Sequence, residues 1–421
     1  MDKVEVIKLP ERRVVITGMG VISSIGLNKE EFWASLLAGR SGIVEIDRFD
    51  TENFPTKIAA QVKGFNVVDY VPRKDARRMD LFVQYACAAA RIAVEDAALE
   101  INANNKHRTG VWVGSGIGGM DTFENQHHAF IKKGVGGISP FFIPMMIPNM
   151  AAGQVSIILG ANGPNGCTVT ACASGSNSIG EAFQLIRNNK ADVMITGGAE
   201  ASITPLAVGG FCAMKALSTA NDDPARACKP FDVNRDGFVM GEGSGALVLE
   251  EMQHAMDRGA HIYAELIGYG SSGDAIHMVQ PDSEGRGAAL AFRAAIAEAG
   301  IAPEEIDYMN AHGTGTPLND QIETAVVKEV FGHHSQKILI SSTKGAHGHM
   351  LGAAGAVELI ATVMALVHNT VPPTINLHDP DPLCDLDYVP NQPRLKELRV
   401  ALSDSLGFGG HNAALVVRKI S

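Results

Sequence analysis

The 421-residue chain has six cysteines but no Cys-x-x-Cys pair, which in a sequence this long argues against both a disulfide framework and a zinc ribbon. A reducing compartment fits. Positive charge is also scarce: 35 Lys and Arg against 46 Asp and Glu leave a formal net charge of −11, the wrong sign for affinity gained by neutralising phosphates. No apolar run is expected to reach the roughly 18 residues of a membrane-spanning helix. The opening stretch MDKVEVIKLPERR mixes charges where a secretory leader needs an apolar core. These absences predict a cytoplasmic protein with neither a nucleic-acid nor a membrane partner. With 46% hydrophobic and 19% charged residues, the chain is too apolar and too weakly charged for long-range disorder.

Glycine is abundant instead: 45 residues, well above the usual share of roughly 7%, so backbone must come close to something at many places. Arg13 to Val21 reads as a strand, followed by a helix carrying Phe32, Leu36 and Leu37. Asp80 to Leu99 is an alanine-rich buried helix by pattern, and Thr109 to Gly114 a buried strand. The second half repeats this order, with a helix over 286–300 and a strand over 306–311 entering another Gly/Thr loop. Gly237-Phe238 and Gly407-Phe408 each open a glycine-rich turn before a buried strand. Val169 to Cys172, read as a short strand leading into a helix at Ser174, echoes Ile338 to Thr343 leading into a helix at Met350. Echoes in the same order point to a duplicated chain, divided here into 1–255 and 256–421. Alternating strands and helices then predict mostly parallel sheets in a layered α-β-α-β-α body. The Pro/Asp-rich stretch 371–393 reads as a structured surface crossover.

Two motifs look like decoys. Gly114-x-Gly116-x-x-Gly119 matches a dinucleotide fingerprint in form, but the residues after Gly119, MDTFENQHHAF, open a helix weakly and no acidic residue closes a βαβ unit. Asp232-x-Asn234-x-Asp236-Gly237 mimics a calcium loop whose twelfth position is Gly243, with Glu242 one place early. Cys172 differs from the other cysteines because a turn of small residues places it at a helix start, where the dipole is expected to favour thiolate. His312 leaves a strand end, the usual address of ligands in α/β sheets, and Lys344, His347 and His349 precede an Ala/Gly helix. His347 and His349 could form a metal pair, but no third ligand lies at suitable spacing, so no metal is assigned.

Thr170-Ala-Cys-Ala-Ser-Gly175, Ala311-His-Gly-Thr-Gly-Thr316, the Lys344 to Gly355 run and Gly407-Phe-Gly-Gly-His-Asn412 together resemble the beta-ketoacyl-(acyl carrier protein) synthases, closest to the type II elongating enzymes. The resemblance spans about Arg13 to Lys419 and implies the thiolase fold, a homodimer, acyl carrier protein as partner and no cofactor. It implies that Cys172 accepts the acyl group and that His312 and His349 face the malonyl thioester. Lys344 would orient them, supported by Asp320 and Glu358. Thr314 and Thr316 would bind the phosphopantetheine arm. The N–H groups of Cys172 and Phe408 would form the oxyanion hole, and the Phe408 ring would gate an acyl pocket lined by Ile117 and Phe211. Asp404-Ser405-Leu406 replaces the family's usual Asn-Ser-Phe, a change expected to act on gate packing. His347, in place of Thr or Ile, adds an ionisable group near the site. For docking, Lys74, Arg77 and Arg78 stand in a basic cluster of an otherwise acidic chain, with Lys215 as a further contact. The presence of Cys172 argues against a non-catalytic chain-length partner, and the position of Cys384 argues against a coenzyme-A thiolase.

Overall fold

A computed structural model describes residues 12–420; residues 1–11, on which the leader reading falls, and Ser421 lie outside it. The sheet strands are β1 (Val14–Ile22), β2 (Thr109–Gly114), β3 (Asn165–Gly166), β4 (Val193–Glu200), β5 (Gly243–Glu251), β6 (Ala264–Gly273), β7 (Tyr308–Asn310), β8 (Leu339–Ser341), β9 (Val400–Gly407) and β10 (His411–Arg418). Helices that matter below are α1 (Lys29–Leu37), α2 (Leu81–Asp96), α3 (Met120–Lys133), α4 (Ser174–Arg187), α5 (Pro205–Ala213), α6 (Arg286–Ala299), α7 (Pro317–Phe331) and α8 (Ala354–His368).

Strand order is β3-β2-β4-β5-β1 in the first half and β8-β7-β9-β10-β6 in the second. The partners match one for one: β2 is parallel to β3 and β4, as β7 is to β8 and β9, while β5 and β10 are antiparallel to both neighbours. Each half-sheet is therefore only half parallel, short of the mostly parallel sheets expected. The turn Phe408-Gly409-Gly410 is too short for anything but an antiparallel return. Val14, Val15 and Ile16 pair with Leu266, Glu265 and Ala264, which joins the halves into one ten-stranded sheet.

Layering follows from the apolar faces. α2 covers one half-sheet, α6 and α7 the other, and α4 and α8 lie between, touching both half-sheets. The five-layered thiolase-like arrangement is thus present. Glycine explains how closely the outer helices sit. A Cβ on Gly18 or Gly20 would come 2.1 or 2.0 Å from the carbonyl oxygens of Ala93 and Ala89, and one on Gly268 or Gly270 would come 2.2 or 2.0 Å from those of Ala295 and Ala291. Alanine ridges against glycine grooves thus recur in the two halves.

Locally, side-chain caps start the expected helices: Asn28 accepts the Glu31 N–H at 2.8 Å, and Asp80 accepts that of Phe82. The strand expected at Val169 to Cys172 is absent, and Ala171–Ala173 form a 3₁₀ turn. Side chains take over the backbone there: Thr170 N–H donates to Ser174 Oγ at 2.9 Å, and Ser174 Oγ donates to Ala171 O at 2.7 Å. The stretch after Gly119 forms the full helix α3 rather than a weak one. Leu351–His368 is apolar enough over 18 residues to cross a membrane, longer than the sequence suggested, yet 89% of it is buried in the protein. Its single charge, Glu358, is spent on Lys344.

Candidate active site

Cys172 sits in the 3₁₀ turn before α4 and is 6% exposed. Ala171 takes φ +49°, and its counterpart in the other half, Leu351 before α8, takes +48°. Burial pushes the Cys172 thiol up to about 12, against smaller opposing effects of Lys344 and the Phe408 N–H. Burial at this position thus works against the standing thiolate that the helix start was expected to favour. A Cβ on Gly407 would come 3.2 Å from Cys172 N, so glycine keeps the approach to that N–H clear.

His312 and His349 stand edge to face, ring centroids 5.2 Å apart, one on the loop after β7 and the other before α8. Lys344 is fully buried, ion-paired with Glu358 of α8 and 3.4 Å from His312 Nδ1. An ammonium only donates, so Nδ1 accepts and His312 carries its proton on Nε2. Burial, then Lys344, then the other histidine hold His312 well below the ordinary imidazole range; His349 is lowered by burial, Lys344 and His347. His349 Nδ1 has no hydrogen-bond partner among the described residues. His347 is different: Nδ1 bonds to Gly348 O and Nε2 to Thr343 Oγ1, both at 2.8 Å, and burial brings it down to about 3. It is a neutral structural residue.

A cavity of 320 Å³ opens onto Cys172, His312, His349, Thr314, Thr316, Phe211 and Phe408 together. Thr314 and Thr316 hydroxyls are 3.0 Å apart. Their loop is held by Asp320, which accepts Gly315 N–H at 3.3 Å and Phe231 N–H at 2.9 Å. The sequence reading missed Arg235, buried inside the calcium-loop mimic, which donates to Thr316 O and Pro317 O at 3.0 Å each. The only clue was a charged residue amid a turn motif whose acids are spent elsewhere: Asp232 accepts backbone N–H groups of Asn234, His378 and Asp379.

Not every expected residue reaches the cavity. Ile117 packs in the apolar cluster containing Cys172 and Phe211 but does not line the open space. Lys215 is at the mouth, whereas Lys74, Arg77 and Arg78 lie on an exposed surface off it, Arg78 stacked 4.5 Å from the Phe141 ring. Asp404 lies beneath the site rather than at the gate: fully buried, it accepts the His312 N–H at 3.1 Å. Burial and the neighbouring Glu323 push it well above the carboxylate range. Glu323 in turn accepts Gly313 N–H at 2.8 Å. Oxygen atoms of Asn310, Glu323, Glu358, Ser403 and Asp404 are buried here without partners among the described residues. A protonated Asp404 brings a donor to this acceptor-rich layer.

Residues 11–255 match the family model "Beta-ketoacyl synthase, N-terminal domain" and residues 263–378 match "Beta-ketoacyl synthase, C-terminal domain". The 3-oxoacyl-[acyl-carrier-protein] synthase 2 of Staphylococcus aureus (strain COL) is 53% identical over 408 residues, 97% of this chain and 98% of its own. That of Synechocystis is 51% identical over 411 residues, 98% and 99% respectively. A beta-ketoacyl synthase from Burkholderia phymatum superposes with a TM-score of 0.91 at 35% identity, over 97% of this chain and 100% of the other. A type II polyketide ketosynthase in complex with its acyl carrier protein superposes at 0.90 and 35%, over 98% and 100%.

Proposed function

Because the chain belongs to the beta-ketoacyl synthase family and is a 3-oxoacyl-(acyl carrier protein) synthase of fatty-acid elongation, we propose that its condensation runs on Cys172, His312 and His349. The carrying observation is the cavity that gathers these three with Thr314, Thr316 and Phe408 from distant parts of the chain.

The enzyme is an acyltransferase acting on carrier-protein thioesters. In the proposed route, Cys172 Sγ attacks the acyl thioester while its proton passes to the departing carrier thiol, leaving acyl-Cys172. The N–H groups of Cys172 and Phe408 take the oxyanion, and Gly407 keeps the Cys172 side clear. Malonyl-carrier then enters past Lys215, its pantetheine arm against Thr314 and Thr316. The bond to the carboxylate breaks, CO2 leaves, and the electron pair moves onto the thioester as an enolate. His312 Nε2–H and a His349 N–H donate to that enolate oxygen. Neutral imidazoles suit the task, and Lys344 beside them disfavours their protonation. The nucleophilic carbon attacks the acyl-Cys172 carbonyl, the bond to Sγ breaks, the departing thiolate takes up a proton from solvent to restore the Cys172 thiol, and the 3-oxoacyl product departs on its carrier.

Phe211 and Phe408, with ring centroids 6.3 Å apart, form the gate of the acyl pocket, with Ile117 behind. The reading includes carrier docking on Lys74, Arg77, Arg78 and Lys215, in a cytoplasmic setting suited to free thiols. It also includes a homodimer across the edge strand β3. Exposed Phe123, Phe130, Ile131, Phe141, Ile157 and Val169 support an apolar interface on that side. The test is intact-mass analysis after incubation with acyl-carrier: Cys172→Ala must lose the acyl adduct, and an adduct persisting on that variant refutes the assignment.

A further inference from the structure

The duplication poses a question that the mechanism leaves open. If one half places a turn with free N–H groups before its central helix to serve Cys172, what occupies the same place in the other half? The counterpart of Cys172 is Gly352, since each comes directly after the positive-φ residue, Ala171 or Leu351, in a 3₁₀ turn that runs into α4 or α8. The counterpart of Gly407 is Glu200, each being the eighth residue of its strand, β9 or β4.

In the catalytic half, Gly407 leaves the space beside the Cys172 N–H empty for substrate. In the other half, Glu200 projects a carboxylate into the equivalent space and accepts the Gly352 N–H at 3.1 Å. The same carboxylate accepts Gly116 N–H at 2.8 Å, Ile117 N–H at 3.3 Å, Ser115 Oγ at 3.1 Å and Ser202 Oγ at 3.2 Å. It is fully buried and has no lysine or arginine partner among the described residues. The glycine loop that imitates a dinucleotide fingerprint thus does bind an anion, one supplied by the chain itself.

We propose that Glu200 is a positioning residue: an internal anion that fills the silent half's copy of the N–H site and thereby fixes both the acyl-pocket wall and the turn bearing His349. Ile117 is held through its own N–H. Gly352 is three residues from His349, across strained Leu351, so its bond sets where α8 begins. Packing is tight enough to transmit displacement: a Cβ on Gly352 would meet Gly116 N at 2.3 Å and Glu200 Oε2 at 2.8 Å. Without the carboxylate, an amide can accept at one position only and sets its own N–H against the donors at the other, so N–H groups left unpaired drift toward water, and Ile117 and the His349 turn move with them.

This rests on the roles given above to Cys172 and His349, and the test separates the two. Glu200→Ala, Glu200→Gln and Glu200→Asp are compared with wild type for kcat and KM of CO2 release from malonyl-carrier and for the range of acyl chains loaded on Cys172. Expected for Ala and Gln is a kcat loss of roughly tenfold or more, the scale of a displaced reacting group, with carrier KM unchanged and the acyl range altered. Rising formate should restore Glu200→Ala, whereas neutral formamide should not; Glu200→Gln, its site already filled by an amide, should resist rescue. Wild-type kcat and acyl range in Glu200→Gln, or a folded Glu200→Ala that formate leaves unimproved, overturns the proposal. If neither folds, Glu200→Asp decides: it retains the charge but draws it back by one methylene, and an unchanged kcat overturns the role. Cys172→Ala and His349→Ala run alongside, because acyl loading or CO2 release persisting there would instead overturn the site reading itself.

Discussion

Lys344 is the side chain whose removal should do two separable things. It is fully buried, paired with Glu358 and within 3.4 Å of His312. Lys344→Met leaves Glu358 as an uncompensated buried carboxyl whose Oε2 already lacks a partner. Removing one member of a buried pair costs about 3–5 kcal/mol, which at roughly 1 °C per kcal/mol for a chain of this size lowers Tm by about 3–6 °C. Chemically, His312 loses one of the causes that keep it well below its ordinary value. Its neutral form is the active one, so activity is lost as pH falls through its pKa, and raising that pKa moves the acid limb of CO2 release toward neutral pH. Lys344→Met/Glu358→Leu should recover most of the Tm while keeping the shifted limb, since the orphaned carboxyl is gone but the cation is not restored. Calorimetry and the pH–rate profile of malonyl-carrier decarboxylation check the pair. An unmoved acid limb in both variants refutes the electrostatic role; an unmoved Tm in the single variant refutes the burial argument.

His349→Ala should cut CO2 release by roughly 10²–10³-fold, the scale of one oxyanion donor, whereas His347→Ala should lower Tm but keep most of the rate while folded; the reverse pattern reassigns the pair. Asp404→Asn should keep activity, because the amide oxygen still accepts the His312 N–H. The raised carboxyl opposes folding increasingly as pH rises above the ordinary carboxylate range. Tm should therefore exceed wild type at neutral pH and converge with it in acid, and a lower Tm at neutral pH sinks this account. Lys215→Glu, and Arg77→Glu with Arg78→Glu, should raise carrier KM by up to about fivefold per charge, the scale of an exposed ion pair, and flatten its salt dependence. A KM unchanged at low salt for the Arg77 and Arg78 variant removes that surface from docking.

Legibility in the sequence divides by distance along the chain. The apolar run from Arg13 to Val21, the helix patterns around Phe32 and over 80–99 and the three-fold echo between halves are local patterns, and they return as β1, α1, α2 and their counterparts. Cys172, His312, Lys344 and His349 stand in local motifs too, and the fold brings them to one place. Properties set by tertiary packing were not legible. The helix start at Cys172 is a sequence feature, but the burial that raises its thiol comes from Phe238, Met240, Leu351 and α5, out of reach of any window. Glu200 offered no signal beyond ending a strand; its donors come from positions 115–117, 202 and 352. Asp404 adjoins the gate in sequence, which suggests a role there, but β9 pairs with β7, and that register carries it beneath His312 instead.

The same burial that raises the Cys172 thiol lowers both histidines, so one physical cause pushes all three groups toward their uncharged forms. For a two-stage reaction that is the useful resting condition. A standing thiolate would invite oxidation and off-target acylation, and would lie close to the carbon where negative charge must later develop. Once acylated, Cys172 carries no charge at all, and the histidines remain donors without competing cations to protonate the nucleophilic carbon. In the proposed route charge then appears only transiently: on the acyl oxygen during transfer, where the Cys172 and Phe408 N–H groups would face it, and on the enolate oxygen, where the histidines would. Lys344 enforces the order. Its pairing with Glu358 leaves little net field to stabilise a thiolate at rest, while its contact with His312 Nδ1 keeps the Nε2 proton aimed at the second oxyanion. Opening the site to water would weaken every one of these effects together and expose the acyl thioester to hydrolysis, so the gate proposed at Phe211 and Phe408 would serve the chemistry as much as chain-length choice.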